Sequence, residues 1–141
     1  MKIELTEKQA RIVMNALDYY FRVAGMGQLE EIWSHYRFTS PLPSAPLSKP
    51  SCDQVVIEDA INALKYQLWG LPGNASYGIT QTKEEYQIAC EIMQQVRCCL
   101  SWWYLGKDPE KDKRDWSEMI GVNYDKPFKM TDEPLPKISK N

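Results

Sequence analysis

The segment Lys83–Leu105, KEEYQIACEIMQQVRCCLSWWYL, decides the fold class. Tyr86, Ala89, Cys90, Met93, Val96, Leu100, Trp103 and Tyr104 recur along it at three- and four-residue spacing, the period of one helix face. Thr82 with Glu85 forms a capping box ahead of it, and Gly106 supplies a stop.

Working outward, the same period appears twice more. Ala10, Val13, Met14, Leu17 and Phe21 share one face of an N-terminal run that Thr6 caps, with Gln9 completing the box. The run pauses at Gly25-Met26-Gly27 and resumes with Leu29, Ile32, Trp33 and Tyr36, as one kinked helix or two helices with a tight joint. Val56, Ile57, Ala60, Ile61, Leu64 and Leu68 define a further helix, capped by Ser51 or Asp53 and ended by Gly70-Leu71-Pro72-Gly73-Asn74. The expected fold is mainly α, a compact bundle of about four helical segments. At most it carries a small two-stranded β element, pairing Lys2–Leu5 with Val122-Asn123-Tyr124. Residues 1–141 read as a single helical domain with a Pro/Ser-rich loop at 39–51 and an extended C-terminal tail at 121–141.

Composition narrows the function classes. At 141 residues and 43% hydrophobic, the chain can bury roughly two-thirds of its unfolded surface without a metal or disulfide staple. A net charge of −2 offers no global basic field, so nucleic acid is not an expected partner. No apolar run reaches the roughly 18 residues of a membrane span, and no signal-peptide pattern precedes the first helix. Cys52, Cys90, Cys98 and Cys99 form no CxxC pair and read as buried free thiols. Lys107–Asp115 carries eight charged residues in nine, four of each sign, and reads as a solvated loop, after which Trp116 and Met119-Ile120 are expected to pack back onto the body.

Catalytic constellations are missing from the sequence. There is no G-x-S-x-G elbow or phosphate loop, and His35 is the lone histidine. Glu30-Glu31 and Glu58-Asp59 are acidic pairs of the kind that surround Mg²⁺ in all-α nucleotide pyrophosphohydrolases. That chemistry places acids at i and i+3, yet position 34 is Ser and position 62 is Asn. No catalytic residue, metal ligand or cofactor is therefore assigned, and Mg-dependent nucleotide hydrolysis is the weakest of the readings carried.

Binding is the stronger reading. Two glycines in three positions cost a helix roughly 1 kcal/mol each relative to alanine, so Gly25 and Gly27 serve a close approach or admit a ligand. Polar Gln28, Glu30 and Glu31 follow. Tyr19-Tyr20-Phe21 and Trp102-Trp103-Tyr104 are consecutive aromatics that cannot all face one core, so each run exposes a ring. Gln28 and Glu31 are the candidates to hydrogen-bond a base or ribose, Tyr77 and Trp103 to stack, and Arg22 and Arg97 to hold phosphate.

Glu4-Leu5-Thr6 with Gln9-Ala10, followed by Met26-Gly27-Gln28-Leu29-Glu30-Glu31-Ile32, resembles the opening of a family of small uncharacterised tailed-bacteriophage proteins with an MGQ(L/F)EE-type motif. Ser76-Tyr77-Gly78-Ile79, Gln95-Val96-Arg97, Tyr124-Asp125-Lys126-Pro127 and Leu135-Pro136 extend the resemblance over most of the chain. It implies a phage accessory protein acting in the cytoplasm of the infected bacterial host, and it carries over no catalytic residue. The expected function is non-enzymatic: countering host defence by sequestering a nucleotide-derived signal, as a homo-oligomer. The alternative partner is a host protein that the chain inhibits by binding.

Overall fold

The computed structural model describes residues 4–32 and 54–139. The protein is mainly helical, as its periodicity predicts, and the described residues contain no strand. The described residues form two compact units: those up to Phe21 together with those from Lys83 onward, and those between Arg22 and Thr82. Trp33, His35, Tyr36, Arg37, the 39–51 loop and the Ser51, Cys52 and Asp53 positions lie outside the described residues, as do Lys2 and Ile3.

In the first unit, helix α1 (Glu7–Tyr19) starts on the expected capping box. The Gln9 amide donates to Thr6 Oγ1 at 3.2 Å, and the Thr6 amide donates to Gln9 Oε1 at 2.9 Å. The helix passes into a π turn, Tyr20–Gly25, and stops at the glycines as expected, with Met26–Leu29 non-helical and Gly27 at φ +70°. A π turn inserts one residue into the helical register and re-aims the side chains that follow it. Phe21 is buried there, whereas Tyr20 is partly exposed and packs tilted on Tyr86, with ring centroids 5.1 Å apart.

The long helix α3 (Glu84–Tyr104) matches its predicted span and packs against α1. Its N-cap is Lys83, one residue beyond the expected Thr82, and carries no side-chain cap bond; the Thr82 hydroxyl donates to the Ile79 carbonyl at 2.7 Å. Its end is a Schellman motif. Gly106, at φ +71°, donates to the Trp103 carbonyl at 3.0 Å, and Lys107 donates to the Trp102 carbonyl at 3.0 Å.

Burial on α3 is wider than one stripe. Ala89, Cys90, Met93, Val96 and Leu100 are buried as expected, but so are Glu91, Cys98, Cys99 and Trp102, while Tyr104 is 81% exposed. The reason is a second covering layer contributed by the C-terminal segment. Cys98, Trp102 and Met119 form a core cluster with Leu105 and Tyr124 packed on it. Trp102 Nε1 donates to the Tyr124 carbonyl at 3.0 Å. The expected strand at Val122–Tyr124 is instead a 3₁₀ turn. Gly121, at φ +100°, swings the chain over, and the Tyr124 carbonyl is taken by α3 and not by a neighbouring strand.

Met119 packs back onto the body as expected, fully buried, but Ile120 and Trp116 remain exposed. Trp116 lies under the Arg114 guanidinium at 3.9 Å. Arg114 bonds the Met119 and Gly121 carbonyls and the Asp125 carboxylate, so one cation ties together the returning chain.

The second unit holds α2 (Gln54–Trp69), which Gly70 ends at φ +68°. Its predicted apolar face is rotated. Val56, Leu64 and Leu68 are more than half exposed, while Lys65 is fully buried. The inward row is Ile57, Ile61, Lys65 and Trp69, at four-residue spacing. A lysine occupies that row because Glu30 reaches its ammonium, with Nζ donating to the two carboxylate oxygens at 2.9 and 3.2 Å.

Candidate functional site

The glycine joint lies in the second unit. Gly27 has φ +70°, and a Cβ placed on it would meet Leu71 Cδ1 at 3.0 Å and the Trp69 ring at 3.5 Å. The notch is thus filled by the chain's own residues after α2. Met26 accepts the Tyr77 amide at 3.0 Å, and the Gln28 amide closes onto the Arg22 carbonyl at 3.0 Å. Residues 30–32 are helical again.

Four predicted ligand residues meet at this joint. Arg22 Nη1 donates to Gln28 Oε1 at 3.3 Å and lies 3.9 Å from Glu31 Oε1. Gln28 Nε2 donates to Ser76 Oγ at 3.3 Å, and the Tyr77 hydroxyl donates to the Trp69 carbonyl at 3.0 Å. Each of these side chains has a partner within the joint, and together they knit it to the loop after α2. A polar network closed in this way rigidifies a turn as readily as it receives a ligand.

Arg97 and Trp103 belong to the other unit, both on α3. Arg97 donates to the Val122 carbonyl at 3.3 Å, so it braces the 3₁₀ turn. Trp103 lines an open cleft of about 780 Å³. Gln95, Cys99 and Trp103, on one four-residue row of α3, form its floor; the 106–112 turn and the tail segments 126–127 and 135–139 form its walls. That volume falls within the range of small-molecule sites, about 300–1,000 Å³.

The cleft offers an aromatic ring, prolines and charge. Lys107, Lys111, Lys126 and Lys137 line it with Asp108, Glu110 and Asp112. Lys111 pairs with Asp108 at 3.1 Å and Lys126 with Glu110 at 3.5 Å. The Glu110 amide and the Lys111 ammonium hold the Asp108 carboxyl below its usual range. Such exposed pairs are weak and exchange readily for a competing anion. Cys99 is no nucleophile here: burial pushes its thiol up to about 11, assisted by Cys98, so at neutral pH it stays protonated.

One buried group was not anticipated from the sequence. Glu91, 2% exposed, sits one turn before Gln95 on the row that floors the cleft. Its carboxylate accepts the Met130 amide at 2.5 Å, the Thr131 amide at 2.7 Å, the Thr131 hydroxyl at 3.1 Å and the Lys129 ammonium at 2.5 Å. Burial alone would raise this carboxyl, but the four donors outweigh it and hold the group below its usual value. The one clue in the sequence is an acid placed between apolar neighbours, Cys90 and Ile92.

Among the described residues, no group of three or more His, Cys, Asp or Glu is placed to hold a metal ion, and no helix is long and apolar enough to cross a membrane. Comparison of the chain with protein-family models, curated proteins and solved structures gives no match.

Proposed function

We propose that this chain is a non-enzymatic phage accessory protein that binds a small nucleotide-like anion and withholds it from a host defence system. The observation that carries the reading is Trp103 on the floor of a cleft rimmed by Lys107, Lys111, Lys126 and Lys137. An indole face stacks a base, and lysines that exchange their surface partners take up phosphate charge. The phage setting is supported by the run of short motifs described above, and sequestration by the lack of catalytic motifs in the sequence. Arg22, Gln28, Glu31 and Tyr77 enter this reading as the frame of the joint in their own unit. The test is a calorimetric screen of cyclic dinucleotides and NAD-derived cyclic nucleotides. Binding that Trp103→Ala abolishes supports the cleft; no heat from any member of that panel removes the reading.

A second reading is a protein-binding inhibitor of a host factor. Val55, Val56, Leu64, Tyr66 and Leu68 leave much of α2 apolar and more than half exposed, a surface of the kind that partners cover. Capture of one stoichiometric host protein, lost on Leu64→Asp, favours it over the small-molecule reading.

A further inference from the structure

The tail leaves the cleft and comes back to it. Lys126 and Pro127 form one part of its wall. The Phe128 amide then donates to Gln94 Oε1 at 2.9 Å, and residues 129–131 dock on Glu91. The chain bends at 131–133, where the Lys129 ammonium also takes the Glu133 carbonyl. Residues 135–139 return to line the cleft again. In this returning leg Leu135, Pro136 and Ile138 are half-buried, while Lys137 and Ser139 are exposed. The cleft therefore has two tail-built walls, joined by a bend, and the bend is bolted to α3 at one carboxylate.

We infer that Glu91 is a positioning residue for the cleft: without lining it, Glu91 sets the placement of both tail walls by pinning the bend between them. Three consecutive residues that lead into the bend, 129–131, contribute donors to this single acceptor group. Two of the four donors are the Met130 and Thr131 amides, which recognise position along the backbone, and the Thr131 hydroxyl adds a side-chain donor. Lys129 adds the charge and links the carboxylate to the far side of the bend at Glu133. Loss of this bolt removes the bonds that hold residues 129–131 to α3 and leaves the Phe128–Gln94 bond beside them. The ligand-binding half of this inference rests on the reading of the cleft proposed above.

The test separates the two halves. A nitroxide is attached to Ser139→Cys in a Cys52→Ser background, and its broadening of the Trp103 indole N–H resonance is recorded without ligand. In the parent protein the label broadens this resonance, because both residues line the cleft. Glu91→Gln relieves the broadening. Lys129→Met, which keeps the two amide donors, relieves it partly. Helicity by circular dichroism, unchanged in both variants, shows that α1 and α3 persist. Titration of the same proteins with cyclic di-AMP is the second arm. A bend correctly seated in one molecule in ten lowers the apparent affinity about tenfold. Relief of broadening with weakened binding supports both halves. Relief of broadening where no protein binds cyclic di-AMP supports the positioning role and counts against the ligand reading. Broadening in Glu91→Gln equal to the parent's overturns the inference.

Discussion

Glu91 and Lys129 meet at 2.5 Å across α3 and the C-terminal segment, the carboxylate 2% exposed and the ammonium side chain 41% exposed. The pair is asymmetric, and most of its cost and benefit lies with the acid. A buried carboxylate is tolerated only when its oxygens are filled, and here amides, a hydroxyl and an ammonium fill them.

That asymmetry gives a pH dependence with a definite sign. The folded carboxyl of Glu91 lies below its unfolded value, so its stabilisation is present above the usual glutamate range. It is lost as pH falls through the folded value. Between about pH 7 and pH 3, Glu91→Gln loses less Tm than the parent, measured by thermal denaturation at matched ionic strength. At neutral pH, Glu91→Ala costs about 3 kcal/mol in urea denaturation, because two amides lose their acceptor.

The adjacent tryptophans separate core from cleft. Trp102 is 5% exposed and bonded to the Tyr124 carbonyl, so Trp102→Ala costs about 3–5 kcal/mol. Trp103→Ala, on the cleft floor, costs about 1 kcal/mol and removes ligand heat. Equal destabilisation by the two substitutions contradicts this assignment.

Gly27 and Gly78 differ in what a methyl group meets. Gly27→Ala strains a left-handed residue and presses on Leu71 and Trp69, a cost of about 2 kcal/mol in urea denaturation. Gly78, at φ −67°, faces only the end of the Gln81 side chain, and Gly78→Ala stays within about 0.5 kcal/mol.

Lys65 and Glu30 form a pair whose two halves respond differently. Glu30→Gln strands a fully buried ammonium and costs about 3 kcal/mol. Lys65→Met leaves behind a carboxylate that is 42% exposed and hydrated, and it changes stability by less than about 1 kcal/mol. Chemical denaturation of the two single variants checks the difference.

By itself the sequence determined the helices. Thr6 with Gln9 and the apolar period set the start of α1, the 83–105 pattern set α3, and Gly70 and Gly106 set where α2 and α3 stop. All of these are decided within one or two turns of chain, by backbone hydrogen bonds and φ preferences that neighbours impose on each other. The same local logic anticipated that the aromatics of each consecutive run are not all buried, since successive residues on a helix point about 100° apart. Which of them are buried was decided elsewhere. Trp102 is core because the Tyr124 carbonyl arrives from 22 residues away, and Trp103 reaches the cleft because the tail lies against its neighbours. Lys65 faces inward because Glu30 is folded against it, and Glu91 is buried because a distant bend supplies its donors. The Val122–Tyr124 strand failed for a related reason: its carbonyl bonds to an indole, and no local pattern records that partner. Burying a charge or choosing between two adjacent rings depends on groups far along the chain. Only the tertiary structure brings them into contact.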